Sequence, residues 1–426
     1  MYKCFFQLLR PASCLRKKTN KALWCQRRRA GRVPGRLRRS NKEAMVNYLP
    51  DDVLRNNIFI RLPAEQVAQM RSLSKTWNCV LSDSSFVKSH LHHSIHNNKY
   101  DDNQTDIIAF YFGFRDGDVG TYFTLNASQS PNQEHCSYIK LPVSGFNYAI
   151  GSVNGLICFW NDNDSVHLLN PSLSALTTLS DSNNMPSICE SRDYHSDFRF
   201  GYDPKTDDYK VVNVIYYYKT TPQKMIEEWL PVKVYSVRKG CWESVTGKFP
   251  SHITGINGKH VLGDGYNGCV HWLCNVNDPN KNIKKVTIVA YDLSLETFTE
   301  ISLPSDFYKC TRKRTNVLGV LFEKLCVMSC IDGGDYEVWV MEDYGVATSW
   351  VKRVFPRLFN LPIDAVGFSL RGDLLICCRD HQLGLYDPNT DKIKLLNTHM
   401  FDKMIGYSAF VDYVDSVVWP VGPAVK

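Results

Sequence analysis

From residue 105 onward one short pattern recurs, and it limits the fold more than any other feature of the chain. An apolar run ends at a polar, turn-forming residue, and an apolar or aromatic residue follows six positions later. It occurs as LLNPSLSAL (Asn170 to Leu176), VYSVRKGCW (Ser236 to Trp242), AYDLSLETF (Asp292 to Phe298) and LYDPNTDKI (Asp387 to Ile393). VWVMEDYGVATSW (Glu342 to Trp350) is a copy with a longer turn. Each reads as a hairpin: the polar residues make the reversal, and the residue six on restarts the inward face. A further strand-like run precedes each one, at 155–160, 209–218, 269–273, 325–330 and 373–378. DIIAFYFGF and GTYFTLN form one more copy upstream. Repeats of four strands that cannot bury their own faces predict a β-propeller over 105–420, with about six blades. The run 406–419, GYSAFVDYVDSVVW, is the expected closing strand, pairing with the first blade to remove the sheet edges.

Ahead of the repeats, 45–97 has a different period. Leu49-Pro50-Asp51-Asp52 starts a helix: proline suits the first turn, and the two aspartates face the positive end of the dipole. Leu54, Ile58 and Leu62 follow at i+4 spacing on one apolar stripe. Pro63 ends that helix and begins another carrying Val67 and Met70. Residues 74–81 read as a third helix. A fourth is expected to be capped by Ser84 or Ser85, with Phe86, Val87 and Leu91 on its apolar side. Four helices in so few residues cannot bury a self-sufficient core, so their surplus apolar surface needs a partner.

Leu49-Pro50, Ile58, Leu62-Pro63 and Leu73-Ser74-Lys75-Thr76-Trp77 make this module resemble an F-box, the adaptor-binding element of SCF-type (cullin–RING) ubiquitin ligases. The resemblance implies that Leu49, Pro50, Val53, Leu54, Ile58, Leu62, Pro63, Val67, Leu73 and Trp77 dock on a Skp-type adaptor, and through it on a cullin. The family usually has one residue fewer between the two Leu-Pro pairs, so Asn56-Asn57 carries a single insertion. One extra residue turns a helix by about 100° and takes Leu49 and Val53 off the face of Ile58 and Leu62. A π-bulge, or a first turn re-registered through Leu54, would absorb it. The repeat region in turn resembles the F-box-associated domain of plant F-box proteins, akin to kelch propellers. FRFGYDPKTDDYKVV (198–212), the hairpin at 290–304 and VDYVDSVV near the C-terminus carry that match. Gly333-Gly334 is the one paired glycine of the kelch type.

Charge separates the parts. Residues 1–44 hold fourteen Lys/Arg and one acid, Glu43, which leaves the remainder with 36 basic and 42 acidic residues, a net of −6. The basic character is confined to this tail, so no nucleic-acid surface is expected on the main body. The tail is expected to be disordered or a product of start-site choice, since Met45 heads MVNYLPDDV. It also has the composition of an import signal or a presequence. No apolar run approaches the roughly 20 residues of a membrane span. Fifteen scattered cysteines fit reduced core thiols, which places the protein in the nucleus or cytoplasm.

Catalytic patterns are weak. Gly263–Gly268 fits G-x-G-x-x-G, but CVHWL follows, and a dinucleotide site needs a helix there. His90, His92, His93 and His96 have no Cys or acid at zinc spacing and read as a solvated helix end. Cys326/Cys330 and Cys377-Cys378 read as core. Tyr216-Tyr217-Tyr218 fits either a binding rim or a strand covered on both faces. Acids fall mostly at hairpin turns, which are surface positions. The function the resemblance implies is a substrate-recognition subunit with no catalytic residue, metal or cofactor. It would hold a target protein through propeller loops at 181–197, 219–231, 251–267, 274–285 or 305–316. The alternatives are a propeller-fold hydrolase with two facing carboxylates, and a ligase-independent binding scaffold.

Overall fold

The structure, a computed structural model, describes residues 50–100 and, from 107 to 419, the strands with most of their turns. Outside the described residues lie 1–49, 420–426, 101–106, 116–117, 127–137, 142, 144–146, 162–164, 180–193, 219–225, 258–265, 278–283, 309–313, 332–334, 356–363, 370–371, 378–382, 388–389, 391 and 396–402. The basic tail and Leu49 are among them. The chain divides into two compact units, one up to Phe59 and one from Ile60.

The second unit contains six antiparallel sheets. Sheet one takes Ile107–Arg115, Asp118–Asn126 and Tyr138–Lys140, and its fourth strand is Lys403–Asp412 from the far end of the chain. That strand pairs with Ile107–Arg115, as expected of a closing strand, but it starts earlier and ends at Asp412, so that 413–419 of the expected 406–419 run is not strand. Sheet two is Asn147–Val153, Leu156–Asn161, Val166–Asn170 and Ala175–Thr178. Sheet three is Tyr194–Asp203, Asp208–Tyr218, Ile226–Trp229, Lys233–Ser236 and Cys241–Ser244. Sheet four is Ile253–Ile256, Cys269–Asn277, Lys284–Asp292 and Thr297–Ser302. Sheet five is Arg314–Leu321, Lys324–Ile331, Asp335–Met341 and Trp350–Phe355. Sheet six is Asp364–Phe368, Leu374–Cys377, Leu383–Asp387 and Lys392–Leu395. All five hairpins read from the repeat pattern are present, and the fold is the mainly β propeller that the repeats predict.

Period-2 alternation explains why these strands are apolar on both faces. Val211 enters the core between sheets two and three, with Leu156, Leu168 and Phe200. Its neighbour Val212 enters the core between sheets three and four, with Phe249, Trp272 and Tyr291. Trp272 and Leu273 split the same way, Leu273 joining Trp339 and Trp350. Cys326 and Val327 repeat the division, Cys326 entering the core between sheets five and six and Val327 the core between sheets four and five. Tyr216 and Tyr217 are buried at 6% and 1% exposure, which decides the tyrosine run in favour of a strand covered on both faces.

Antiparallel order also sorts the connections onto two faces. First-to-second and third-to-fourth turns, such as 154–155, 171–174, 204–207, 237–240, 293–296 and 322–323, share one end of the sheets, the turn face. Second-to-third and sheet-to-sheet connections leave from the opposite end, the loop face.

The turn at 204–207 departs from the expectation of surface acids. Asp203 and Asp208 are buried. Asp203 accepts from the Lys205 N–H at 3.0 Å and Thr206 Oγ1 at 2.6 Å, and from Ser294 Oγ on sheet four at 2.5 Å. It also pairs with Lys210 Nζ at 3.1 Å. Asp208 accepts from Ser236 Oγ and the Arg238 N–H. These carboxylates supply acceptors that a tight turn lacks. Burial works to raise the Asp203 carboxyl, but the bonds from Ser294, Thr206, Lys210 and Lys205 outweigh it and hold it well below the usual range. Its contribution to stability is therefore present above about pH 4 and is lost as pH falls further. Asp203→Asn is expected to cost about 3 kcal/mol at neutral pH by leaving Lys210 unpaired. In urea unfolding, the gap to wild type should narrow below about pH 4.

Candidate functional site

In the first unit, Pro50 precedes a single turn, Asp51–Val53, which runs into a π-helix at Leu54–Ile58. The π turn falls on Asn56-Asn57, so the one-residue insertion is taken up as a local widening of the helix, the first of the two solutions expected. Val53 and Leu54 are half-buried, and Ile58 is 40% exposed.

In the second unit, three helices follow: α1 (Ala64–Leu73), α2 (Lys75–Leu81) and α3 (Ser84–Tyr100). Pro63 precedes α1 with no side-chain cap, because it has none to offer. Ser74 stands between α1 and α2 in an extended conformation, and its hydroxyl accepts the Trp77 N–H at 3.1 Å. The cap of α3 is Asp83, whose carboxylate accepts the Ser85 N–H at 3.0 Å, rather than Ser84 or Ser85 as expected. A carboxylate one residue earlier reaches the free N–H groups and also faces the positive end of the helix dipole.

The helices bury one side. Ala64, Val67, Leu81 and Phe86 have essentially no exposed surface. Val67 is thus a core residue, which corrects its place among the docking side chains: spacing alone cannot say which way an apolar residue faces. Leu73 is 69% exposed, Trp77 and Leu62 are half-buried, and Pro63 is exposed. The expected docking set is therefore Pro50, Val53, Leu54 and Ile58 in one unit and Leu62, Pro63, Leu73 and Trp77 in the other.

His90 is also corrected. It is 1% exposed, and its Nε2 meets the Leu62 carbonyl at 2.9 Å, tying α3 to the start of α1. His92 and His96 are exposed. Desolvation, followed by Arg61 and the neighbouring histidines, lowers the His93 pKa. Among the described residues no group of three His, Cys, Asp or Glu side chains has the arrangement to hold a metal.

The helices stand on the turn face of the sheets. Val87 of α3 packs on the core between sheets two and three, and Lys88 Nζ pairs with Asp207 in the 204–207 turn at 2.8 Å. The Ala64 N–H of α1 donates to Asp415 Oδ2 at 2.7 Å. Val87 lies on the apolar side expected of this helix, but no apolar stripe announced the Lys88 and Ala64 contacts.

Of the loops expected to hold a target, 251–267 contains the strand Ile253–Ile256. The loop 219–231 likewise contains the strand Ile226–Trp229, and the other three consist of strand ends, a 3-10 turn at Ser305–Tyr308 and stretches outside the described residues. Their flanking strand ends all lie on the loop face. The glycine-rich run ends in a 3-10 turn, Tyr266–Gly268, followed by the strand Cys269–Asn277 and no helix.

Buried acids elsewhere are committed to packing. Asp197 accepts from Arg199 Nη1 at 2.5 Å and from Trp272 Nε1 at 2.8 Å; burial raises its pKa, with Arg199 opposing. His271 Nε2 shares a hydrogen bond with the Tyr344 hydroxyl at 2.7 Å, and burial, then Arg199, push its pKa down to about 3.

Comparison with known proteins adds a family. Residues 109–403 match the F-box associated beta propeller domain. F-box protein CPR1 of Arabidopsis thaliana is 28% identical, the alignment covering 81% of each chain. The F-box/kelch-repeat protein At3g23880 of the same plant is 28% identical over 69% of this chain and 76% of its own. A solved structure, the Dos1 propeller, aligns at 11% identity and a TM-score of 0.34, covering 70% of this chain and 69% of that one.

The Ser74 cap gives a direct test. Ser74→Ala should cost about 1 kcal/mol of stability, read by urea unfolding, while Ser74→Asp should restore most of it.

Proposed function

We propose, because the chain belongs to the F-box associated beta propeller domain family, that it is the substrate-recognition subunit of an SCF-type ubiquitin ligase. Its helical module docks on a Skp-type adaptor, and the propeller holds a target protein. Leu73 carries this reading: a leucine 69% exposed at the end of α1, beside half-buried Trp77, in the F-box pattern of residue types. Leaving such a side chain in water is unfavourable, and a partner pocket recovers about 1.5–3 kcal/mol.

The chain contributes proximity rather than chemistry. Holding a target lysine near the charged ubiquitin carrier raises its effective concentration, and the transfer belongs to other subunits. The hydrolase alternative needs two facing carboxylates. Among the described residues, Asp197, Asp203 and Asp208 are each bound to cations, hydroxyls or turn N–H groups, which favours the receptor. Target contacts belong on the loop face, because α1 and α3 occupy part of the turn face. The reading places the protein in the nucleus or cytoplasm, where the ligase operates.

A pull-down of the full chain with a Skp-type adaptor tests this. Leu73→Asp and Ile58→Asp should each weaken capture at least about ten-fold, as loss of an interface anchor does, with the unfolding midpoint unchanged. Wild-type chain that leaves the adaptor in solution would refute the ligase role and favour the scaffold.

A further inference from the structure

We infer that Asp415 is a positioning residue: it fixes helices α1–α3 on the propeller, and does so only once the last strand has closed the first sheet. The inference rests on the receptor reading for its purpose, but its geometry stands alone.

Helix α1 begins after a proline that offers no side-chain cap. A helix start leaves N–H groups that need an acceptor. Asp415 supplies it at 2.7 Å to the Ala64 N–H, from 351 positions away in sequence. A carboxylate there also meets the positive end of a ten-residue helix.

Asp415 is itself held. Its other oxygen accepts from Ser172 Oγ, on a turn of sheet two. The same hydroxyl bonds to Tyr413 Oη, which also accepts the Ser172 N–H at 3.1 Å. Fully buried Asn170 donates to the carbonyls of Ser416 and Val418 at 2.8 and 2.7 Å. Gly155, in the first turn of sheet two, completes the cradle. A Cβ there would sit 2.3 Å from Ser416 Cβ and 2.5 Å from the Val414 carbonyl, and its φ of +80° also favours glycine.

This cradle holds 413–418, the direct continuation of the closing strand Lys403–Asp412. The acceptor for α1 is therefore in place only when that strand is paired with Ile107–Arg115. Closure of the propeller and orientation of these helices are one event, so the adaptor-binding side chains of α1 and α2 take a fixed direction relative to the loop face. The exposed Lys88–Asp207 pair cannot enforce this, since such pairs contribute little.

The test uses the full chain with spin labels on the exposed cysteines Cys79 of α2 and Cys241 of sheet three, the other labelled cysteines being replaced by serine. Wild type should give one narrow distance distribution. Asp415→Ala should broaden it and speed exchange of the Ala64 amide about ten-fold or more. Asp415→Asn, which keeps an acceptor oxygen, should restore most of both. Gly155→Ala touches neither the helix nor Asp415, and should broaden the distribution by displacing the cradle. Adaptor affinity of Asp415→Ala should stay within about two-fold of wild type, because the docking side chains are elsewhere. A distribution as narrow as wild type in both Asp415→Ala and Gly155→Ala, with Ala64 exchange unchanged, would overturn the inference. If Asp415→Ala does not fold, Asp415→Asn and Gly155→Ala decide it. Failure of the wild-type chain to bind adaptor would refute the ligase reading alone and leave the distance measurement standing.

Discussion

A sheet that ends in an unpaired strand exposes a row of N–H and C=O groups, and a row of sheets around an axis needs its last member joined to its first. In this chain one pairing does the joining: Lys403–Asp412 against Ile107–Arg115, running through two register shifts. Those irregularities let a strand from the far end of the sequence follow the twist of a sheet already formed by its neighbours. The rest of the second unit depends on that join. It completes sheet one, and it delivers 413–418 to the turns of sheet two. Through Asp415 it also supplies the acceptor on which α1 begins.

Between the join and the helices, the sheets act as a stiff spacer. The central strands of sheets three, four and five send alternate side chains into two different cores, so none of these sheets shifts without disturbing both neighbours. Several polar groups among them are matched: Asp203 with Lys210 and Ser294, Asp197 with Arg199 and Trp272, His271 with Tyr344. The division into turn face and loop face follows from antiparallel order alone. It puts helices α1–α3 at one end and leaves the long connections at the other.

Much of this was legible in the residues. The hairpins were, because turn chemistry and a period of two are local properties. So was the closing strand, since an unmatched apolar run after the last repeat has few places to go. The widening of the first helix was legible too: Asn56-Asn57 adds one residue to a spacing of 3.6, and a π turn is the least disruptive way to keep Ile58 on its face. What escaped is of another kind. Val67 and Leu73 are both apolar residues on α1, yet one is buried and the other open. His90 sits in a run of histidines but alone reaches the Leu62 carbonyl. Asp203 and Asp208 occupy turn positions that usually face water, and adjacent sheets cover them.

The sequence by itself determined the repeat and the family, because each rests on spacing along the chain. Only the tertiary structure decided which side of the helices is covered, and which residue near the C-terminus receives the first N–H of α1. Those outcomes depend on contacts between segments hundreds of positions apart. A hydrogen bond between Ala64 and Asp415 leaves no periodic trace in either segment; it exists because the closing strand brings the two ends together.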